Sequence, residues 1–405
     1  MSFLPRSAEA MEAGRFPRRA FQRDPMRAET IDDLRAIAMR RLPRFSAEYL
    51  EGGAEQELTL RRNREAFDRH HFRPRVLRNI DGRDLGRTIL GRRSALPIAI
   101  APTGFNGMLW HEADLCLARA AAAAGIPFSQ STVSNIRVGD IGAVPGLRHW
   151  WQLYVFGPDE VWRGLVARAE EAGCEALLFT VDTHVLGNRE WDRRNYVRPL
   201  ELSLRSKLDM LAHPTWFAQV LGRGLPRFLN LEEFVPEAQR GGFGIARWIG
   251  ANQRESLDWD LVAEIRKAWP RKLVIKGIQN EEDVRLAVAA GVDGIVLSNH
   301  GGRQLDRAAS SLELVAAARA IAGPDFCILV DSGFRRGSEI VQAIALGADA
   351  VLLGRATLYG VAAGGEAGVA KALSILRAEI DRTIALLGLR SVDELGPGLL
   401  HATPG

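Results

Sequence analysis

An imidazole followed by two glycines and a guanidinium is the first chemistry this sequence offers. In Ser298-Asn299-His300-Gly301-Gly302-Arg303-Gln304-Leu305-Asp306, His300 can accept a proton near neutral pH, and Arg303 can grip a carboxylate with two parallel hydrogen bonds. A lone histidine is more often structural than catalytic, but an apolar run precedes this one and glycines follow it. Asp182, at the end of another apolar run, is a candidate partner that orients the imidazole and stabilises its cation. An ion pair with a nearby arginine is the other reading of Asp182. A second group suits an anion. Asp331-Ser332-Gly333-Phe334-Arg335-Arg336-Gly337 and Gly354-Arg355 combine glycines, which let backbone N–H groups approach a phosphate, with arginines that pair with it. The plainer alternative is two structural turns with solvated arginines. A phosphate held there belongs to a cofactor or to a substrate. Lys276 sets a cation toward the middle of the same region.

These residues need a scaffold that brings them together. From residue 96 onward, short apolar runs alternate with helix-period segments. The runs are Leu96–Thr103, Pro127–Thr132, His149–Val155, Ala176–Thr183, Lys272–Ile278, Gly294–Asn299, Cys327–Gly333 and Ala350–Arg355. Continuous apolar runs suit strands buried on both faces of a parallel sheet. Eight βα units predict a closed (β/α)8 TIM barrel of the α/β class. An open doubly wound sheet is the rival, but its Gly-x-Gly-x-x-Gly is missing after the first run, which continues Ala-Pro-Thr-Gly-Phe-Asn-Gly. Active sites of barrels lie at the C-terminal strand ends. Those ends carry Thr103, Ser131, Gln152 with Tyr154, Thr180 with Asp182, Lys276, His300, Asp331 and Gly354-Arg355. One polar strand end is ordinary; a full ring of them is a site. Residues 30–95 read as N-terminal helices capping the barrel and 184–257 as a long insertion between strands four and five. Residues 1–29 read as a basic tail and 396–405 as a C-terminal tail, leaving one domain over 30–395.

Bulk properties narrow the function. The chain has 405 residues, a net charge of +4 and 47% hydrophobic residues, an ordinary globular composition. The basic excess is spread along the chain, which argues against nucleic-acid binding. Three cysteines, Cys116, Cys174 and Cys327, without a Cys-x-x-Cys, argue against a disulfide framework or a cysteine metal site. No metal is expected. No apolar run is long enough to span a membrane, and the N-terminus lacks a secretory h-region. One stretch stands apart. Ser203–Leu231 holds Arg205, Lys207, Arg223 and Arg227 against Asp209, interleaved with Leu208, Met210, Leu211, Trp216, Phe217, Leu221, Phe228 and Leu229. That is the composition of an interfacial membrane segment, or of a lid packed on the barrel, or of an oligomer contact.

At these residues the sequence resembles the FMN-dependent 2-hydroxy acid dehydrogenase and oxidase family, over about residues 30 to 395. The resemblance rests on 298–306, Ala-Pro-Thr-Gly at 101–104, Gln-Leu-Tyr at 152–154, Lys-Gly at 276–277 and Asp-Ser-Gly-Phe-Arg-Arg-Gly at 331–337. Pro-Thr-Gly-Phe-Asn-Gly-Met-Leu-Trp (102–110) and Gly-Arg-Ala-Thr-Leu-Tyr-Gly (354–360) point to its bacterial mandelate and lactate dehydrogenase branch. The resemblance implies oxidation of an (S)-2-hydroxy acid to the 2-keto acid. His300 would be the base and Asp182 its partner. Arg303, Arg189 and Tyr49 would hold the substrate carboxylate, and Tyr154 the substrate hydroxyl. Pro102, Thr103, Gly104, Ser131, Gln152, Thr180 and Lys276 would surround the FMN ring. Asp331 would hold the ribityl chain, and Gly333, Arg335, Gly354 and Arg355 the phosphate. It further implies a homotetramer, a cytoplasmic location, and membrane contact of Ser203–Leu231 on the inner face of the cell membrane. Gly104, where family oxidases usually carry alanine, favours a dehydrogenase passing electrons to a quinone or other acceptor over an oxidase using oxygen. Val133 stands where glycolate oxidase has tryptophan, so glycolate is not the expected substrate, whereas Gln130 and Asn188 depart from the family pattern and leave the substrate open. No haem domain is expected. The competing expectations are an oxygen-using family member, one acting on an unusual aryl or peptide substrate, a barrel acting on a phosphorylated metabolite, and a flavoprotein without activity.

Overall fold

A computed structural model describes residues 23–198 and 201–402. Most of the N-terminal stretch read as a basic tail, residues 1–22, and the last three residues of the C-terminal stretch lie outside that description. The chain opens with α1 (Ile31–Arg41), α2 (Arg44–Glu51) and α3 (Leu58–Glu65). Thr30 starts α1 with a capping box: its hydroxyl accepts from the Asp33 N–H, and the Asp33 carboxylate accepts from the Thr30 N–H. Three short strands follow, β1 (His70–Phe72), β2 (Arg87–Ile89) and β3 (Arg92–Ser94).

The barrel then closes from eight parallel strands. They are β4 (Ile98–Ile100), β5 (Pro127–Ser131), β6 (Arg148–Leu153), β7 (Ala176–Thr180), β10 (Lys272–Ile278), β11 (Gly294–Leu297), β12 (Cys327–Val330) and β13 (Ala350–Leu353), with β13 pairing back onto β4. Each lies within one of the apolar runs read from the sequence, apart from β6, which starts one residue earlier at Arg148. Helices fill the gaps, among them α4 (Ala113–Ala124), α6 (Asp159–Glu171), α12 (Glu281–Ala289) and α14 (Gly337–Leu346), after α5 (Val138–Gly142). Side chains alternate between two hydrophobic clusters, as the pleat demands. Trp150, Leu178, Val274, Val296, Leu329 and Leu352 fill the barrel interior, while Trp151, Leu177, Ile275, Ile295, Ile328 and Val351 pack outward against the helices.

The bottom of the barrel is stopped by the β2–β3 hairpin. Ile89 belongs to the interior cluster and Leu90 packs against it. Leu90 and Gly91 at the turn both have positive φ, 51° and 82°, as a tight two-residue hairpin requires. Buried Arg148 fastens the plug, donating to the carbonyls of Ile89, Arg92 and Arg93 and pairing with Glu175 at 3.1 Å. Thus the helical cap expected over 30–95 ends near residue 69; β1 pairs instead with the C-terminal strand, and the β2–β3 hairpin serves the opposite end of the barrel.

Between β7 and β10 lies the insertion. It contains α7 (Glu190–Arg193), the paired strands β8 (Tyr196–Arg198) and β9 (Glu201–Leu202), then α8 (Leu204–Leu211), α9 (Pro214–Gln219) and α10 (Gly242–Ala251), and α11 (Trp259–Ala268) follows it before β10. One face packs on the barrel mouth: buried Trp216 donates to the Met108 carbonyl at 2.8 Å and meets Phe45 edge-on, and Phe228 stacks on Phe105. The other face leaves Leu204, Leu208, Leu211, Phe217 and Leu225 exposed. After α13 (Val315–Ala322) and the last barrel strands, α15 (Arg355–Leu386) is kinked at Gly364 and Gly365. A Cβ on Gly365 would meet the Trp110 ring at 2.8 Å. The final described strand, β14 (Leu400–Ala402), pairs antiparallel with β1.

Candidate active site

A cleft opens at the C-terminal ends of the barrel strands, between the strand-end loops, α2, α3 and the insertion. Its cavity volume is about 280 Å³, at the low end of the roughly 300–1,000 Å³ of a common small-molecule site. Tyr49, Tyr154, Arg189, His300 and Arg303 line it. So do Pro102, Thr103, Gly104 and Lys276, and further along Asp331, Gly333, Arg335, Gly354 and Arg355. Asp182 stands behind His300, and Ser131, Gln152 and Thr180 lie buried below the lining.

His300 is held in an unusual backbone state. His300, Gly301 and Gly302 all have positive φ, 57°, 66° and 75°. For a histidine this left-handed conformation is strained and persists only where its surroundings enforce it. The enforcement is visible. The His300 N–H donates to Ser298 Oγ at 3.1 Å, and the Gly302 N–H donates to Asn299 Oδ1 at 3.1 Å. Asn299 forms a reciprocal amide pair with Asn63 of α3, 2.9 and 2.7 Å, with both residues buried. The ring follows. His300 Nδ1 lies 3.1 Å from both oxygens of Asp182, whose carboxylate can only accept, so Nδ1 carries the proton and Nε2 is left as an acceptor. Nε2 lies 3.5 Å from the Tyr154 hydroxyl. Burial lowers the His300 pKa below its ordinary value, partly opposed by Asp182, so the ring is neutral and can take a proton at neutral pH. Burial, with Asp182 nearby, raises the Tyr154 phenol, which therefore stays a hydrogen-bond donor.

Two arginines face the same space. Arg303 donates to the carbonyls of Tyr49 (2.8 Å) and Gly52 (2.7 Å) and lies over the Tyr49 ring. Arg189 donates to the Arg303 carbonyl and to Gln304 Oε1, both at 3.3 Å. Desolvation, and then Arg303, pull the Arg189 pKa down to about 10, so it remains a cation. Tyr49 donates its hydroxyl to the Gly104 carbonyl at 3.0 Å. Gly104 has no room for a side chain, since a Cβ there would overlap Val133.

The deeper part of the cleft fits a flat, phosphorylated cofactor. Gln152 Nε2 and Thr180 Oγ1 are buried polar atoms with no partner among the described residues, a condition a bound ring with carbonyl and imide groups would relieve. Ser131 Oγ donates to Gln152 Oε1 at 2.9 Å and so orients that amide. Thr103 is fixed from behind by Asn106, which donates to its carbonyl and hydroxyl. Lys276 is not an isolated cation: its ammonium lies 2.7 Å from Asp331 and donates to Ser298 Oγ at 2.8 Å. Gly333 approaches α3 so closely that a Cβ would meet the Asn63 carbonyl at 2.5 Å. Arg335 donates to Tyr359 and lies 3.5 Å from Asp32. The Arg355 guanidinium donates to the carbonyls of Leu50, Gly301 and Gly52, each at 2.9 Å, and so staples α2 to the His300 loop; Gly354 precedes it at the start of α15.

Sequence reading passed over several groups in this site. Arg64 lines the cleft from α3, donating to the Gly333 carbonyl and pairing with Glu339. Asn63 and Asp192 stand behind the lining, paired with Asn299 and 3.6 Å from Arg303 respectively. All three sit on helices outside the barrel repeat, where no strand-end position marks them. As Val133 does, Phe156, Leu186 and Ile249 give the cleft an apolar lining, and Gln253 lines it too. The last three come from the insertion, where composition alone cannot say which residues turn inward.

Comparison with known proteins agrees with this geometry. Residues 38–402 match the family described as FMN-dependent dehydrogenase. An (S)-mandelate dehydrogenase of Pseudomonas putida is 43% identical over 373 residues, 92% of this chain and 93% of that protein. An L-lactate dehydrogenase of Ectopseudomonas mendocina (strain ymp) is 40% identical over 369 residues, 91% and 97% of the two chains. The crystal structure of a monotopic membrane protein, (S)-mandelate dehydrogenase, superposes with a TM-score of 0.89 at 42% identity, covering 93% of this chain and 100% of that one.

Proposed function

The chain belongs to the FMN-dependent dehydrogenase family and is an FMN-dependent 2-hydroxy acid dehydrogenase, and on that premise we propose that it oxidises an (S)-2-hydroxy acid of mandelate type with His300 as the base. One observation carries the assignment of the base. His300 donates from Nδ1 to Asp182 and turns an unprotonated Nε2 toward Tyr154, in the cleft that the two arginines line. Arg189 and Arg303 bind the substrate carboxylate, with Tyr49 beside them. Tyr154 donates to the substrate oxygen, and Nε2 removes a proton as the substrate is oxidised. Asp182 then stabilises the imidazolium. Pro102, Thr103, Gly104, Ser131, Gln152, Thr180 and Lys276 hold the ring of FMN, with Asp331 on the ribityl chain. Gly333, Arg335, Gly354 and Arg355 hold the phosphate. FMN supplies the two-electron acceptor when bound. The apolar lining residues Val133, Phe156, Leu186 and Ile249 suit an aryl or branched side chain better than the methyl group of lactate.

An anaerobic absorbance spectrum tests this reading. Addition of (S)-mandelate should bleach the flavin bands, with little reoxidation when air enters. Bands that persist with both mandelate and L-lactate would reject these substrates. Rapid reoxidation by air would reject a dehydrogenase that passes electrons to a quinone.

The same proposal places the enzyme, as a homotetramer, against the inner face of the cell membrane. Support comes from Leu204, Leu208, Leu211, Phe217 and Leu225, exposed on the insertion beside Arg205, Lys207 and Arg223, and from the monotopic membrane relative. Among the described residues no helix is long and apolar enough to cross a membrane. Sedimentation with anionic vesicles should be lost in the Leu208→Asp/Phe217→Asp variant while mandelate oxidation persists.

A further inference from the structure

We propose that Asp192 is a resident counter-anion that competes with the substrate carboxylate for the Arg189–Arg303 pair and so sets how tightly 2-hydroxy acids are held. The inference rests on the assignment of those arginines as the carboxylate clamp.

Three observations lead to it. First, the two guanidiniums hold their orientation without Asp192. Arg303 is fixed by the carbonyls of Tyr49 and Gly52, and Arg189 by the Arg303 carbonyl and Gln304. Second, among the described residues Asp192 is the one carboxylate within 4 Å of either guanidinium, with Oδ2 at 3.6 Å from Arg303. That distance is too long for a hydrogen bond but short for a charge interaction. Third, Asp192 Oδ1 is buried with no hydrogen-bond partner, so this carboxylate is not consumed by a network of its own. Its neighbour Glu48, by contrast, is engaged by Arg44 and Asn195.

The physical logic is charge balance. Two cations in a desolvated cleft repel each other, and one anion held beside them offsets part of that repulsion before any substrate arrives. The substrate carboxylate then meets a clamp already partly neutralised. It binds less tightly than it would to bare arginines, and the keto acid product, which carries the same carboxylate, leaves more readily. A residue that only braced the insertion would affect charged and uncharged ligands alike. A competing anion discriminates between them.

The test compares wild type, D192N and D192E as holoenzymes, with flavin content confirming that each is folded. KM is measured for (S)-mandelate and for its uncharged amide, and inhibition by phenylglyoxylate gives the affinity for product. D192N should lower KM for mandelate and the inhibition constant for phenylglyoxylate by about five- to tenfold, the effect of one partly screened charge. The amide should be unaffected, and D192E should match wild type. If D192N fails to retain flavin, D192S carries the same comparison. An unchanged or raised KM for mandelate, or equal shifts for acid and amide, would overturn the proposal and leave the hydroxy acid assignment standing. A wild-type enzyme that does not distinguish mandelate from its amide would overturn the clamp assignment itself.

Discussion

His300 sits at the junction of a strained backbone and a buried carboxylate, and its chemistry follows from both. A positioned base contributes about 10²–10⁴ in rate, so His300→Ala should lose at least that much in kcat while still binding FMN. Normal turnover by that variant would reject His300 as the base. The pH profile is a second check. Because burial lowers the His300 pKa, kcat/KM should rise with pH along a limb below the ordinary histidine value of about 6.5 and be flat at neutral pH. Asp182 opposes that lowering, so Asp182→Asn should move the limb to still lower pH and depress the plateau about 10²-fold or more. A limb moving upward would contradict the pairing. Gly104 carries a third prediction. Gly104→Ala forces Val133 aside, an overpacking that costs about 1–3 kcal/mol, roughly five- to a hundredfold if expressed in kcat/KM. Val133→Ala in the same chain should recover most of the loss, whereas additive effects of the two changes would show that they do not meet.

At the scale of elements, α3 is the unexpected contributor. Its Asn63 clamps Asn299, and Asn299 in turn holds the left-handed turn that carries His300. Asn63→Ala leaves a buried amide short of partners, at a cost of about 1–3 kcal/mol in stability. It should also lower kcat about tenfold with little change in KM, since it loosens the base rather than the clamp. Equal loss in kcat and in substrate affinity would assign Asn63 to general packing. None of this was legible in the sequence, where residues 30–95 read simply as N-terminal helices capping the barrel. The barrel strands were legible because a strand buried on both faces must be continuously apolar, and the polar residue closing each run marks its C-terminal end. His300, Asp182 and Arg303 could be singled out for the same reason. The β2–β3 plug was not, because Arg87–Ile89 and Arg92–Ser94 become strands through the barrel floor they meet, not through a pattern of their own. Nor could composition divide Ser203–Leu231 into its packed and exposed faces. Trp216 and Phe228 turn inward to partners on the barrel mouth, far away in sequence.

On the scale of the whole molecule, one end of the barrel holds the proposed site and the other is stopped by the β2–β3 hairpin. Leu90 and Ile89 occupy the floor, Arg148 pins them there, and the interior above is filled by Trp150 and its neighbours. With the floor closed, we expect hydroxy acid, keto acid and electron acceptor to share the mouth of the cleft and to take turns there. Oxidation of the donor and reoxidation by the acceptor are therefore separate visits to a shared threshold. Initial rates measured against one partner at several fixed levels of the other should give parallel double-reciprocal lines. Converging lines would mean that two guests can stand in the doorway at once.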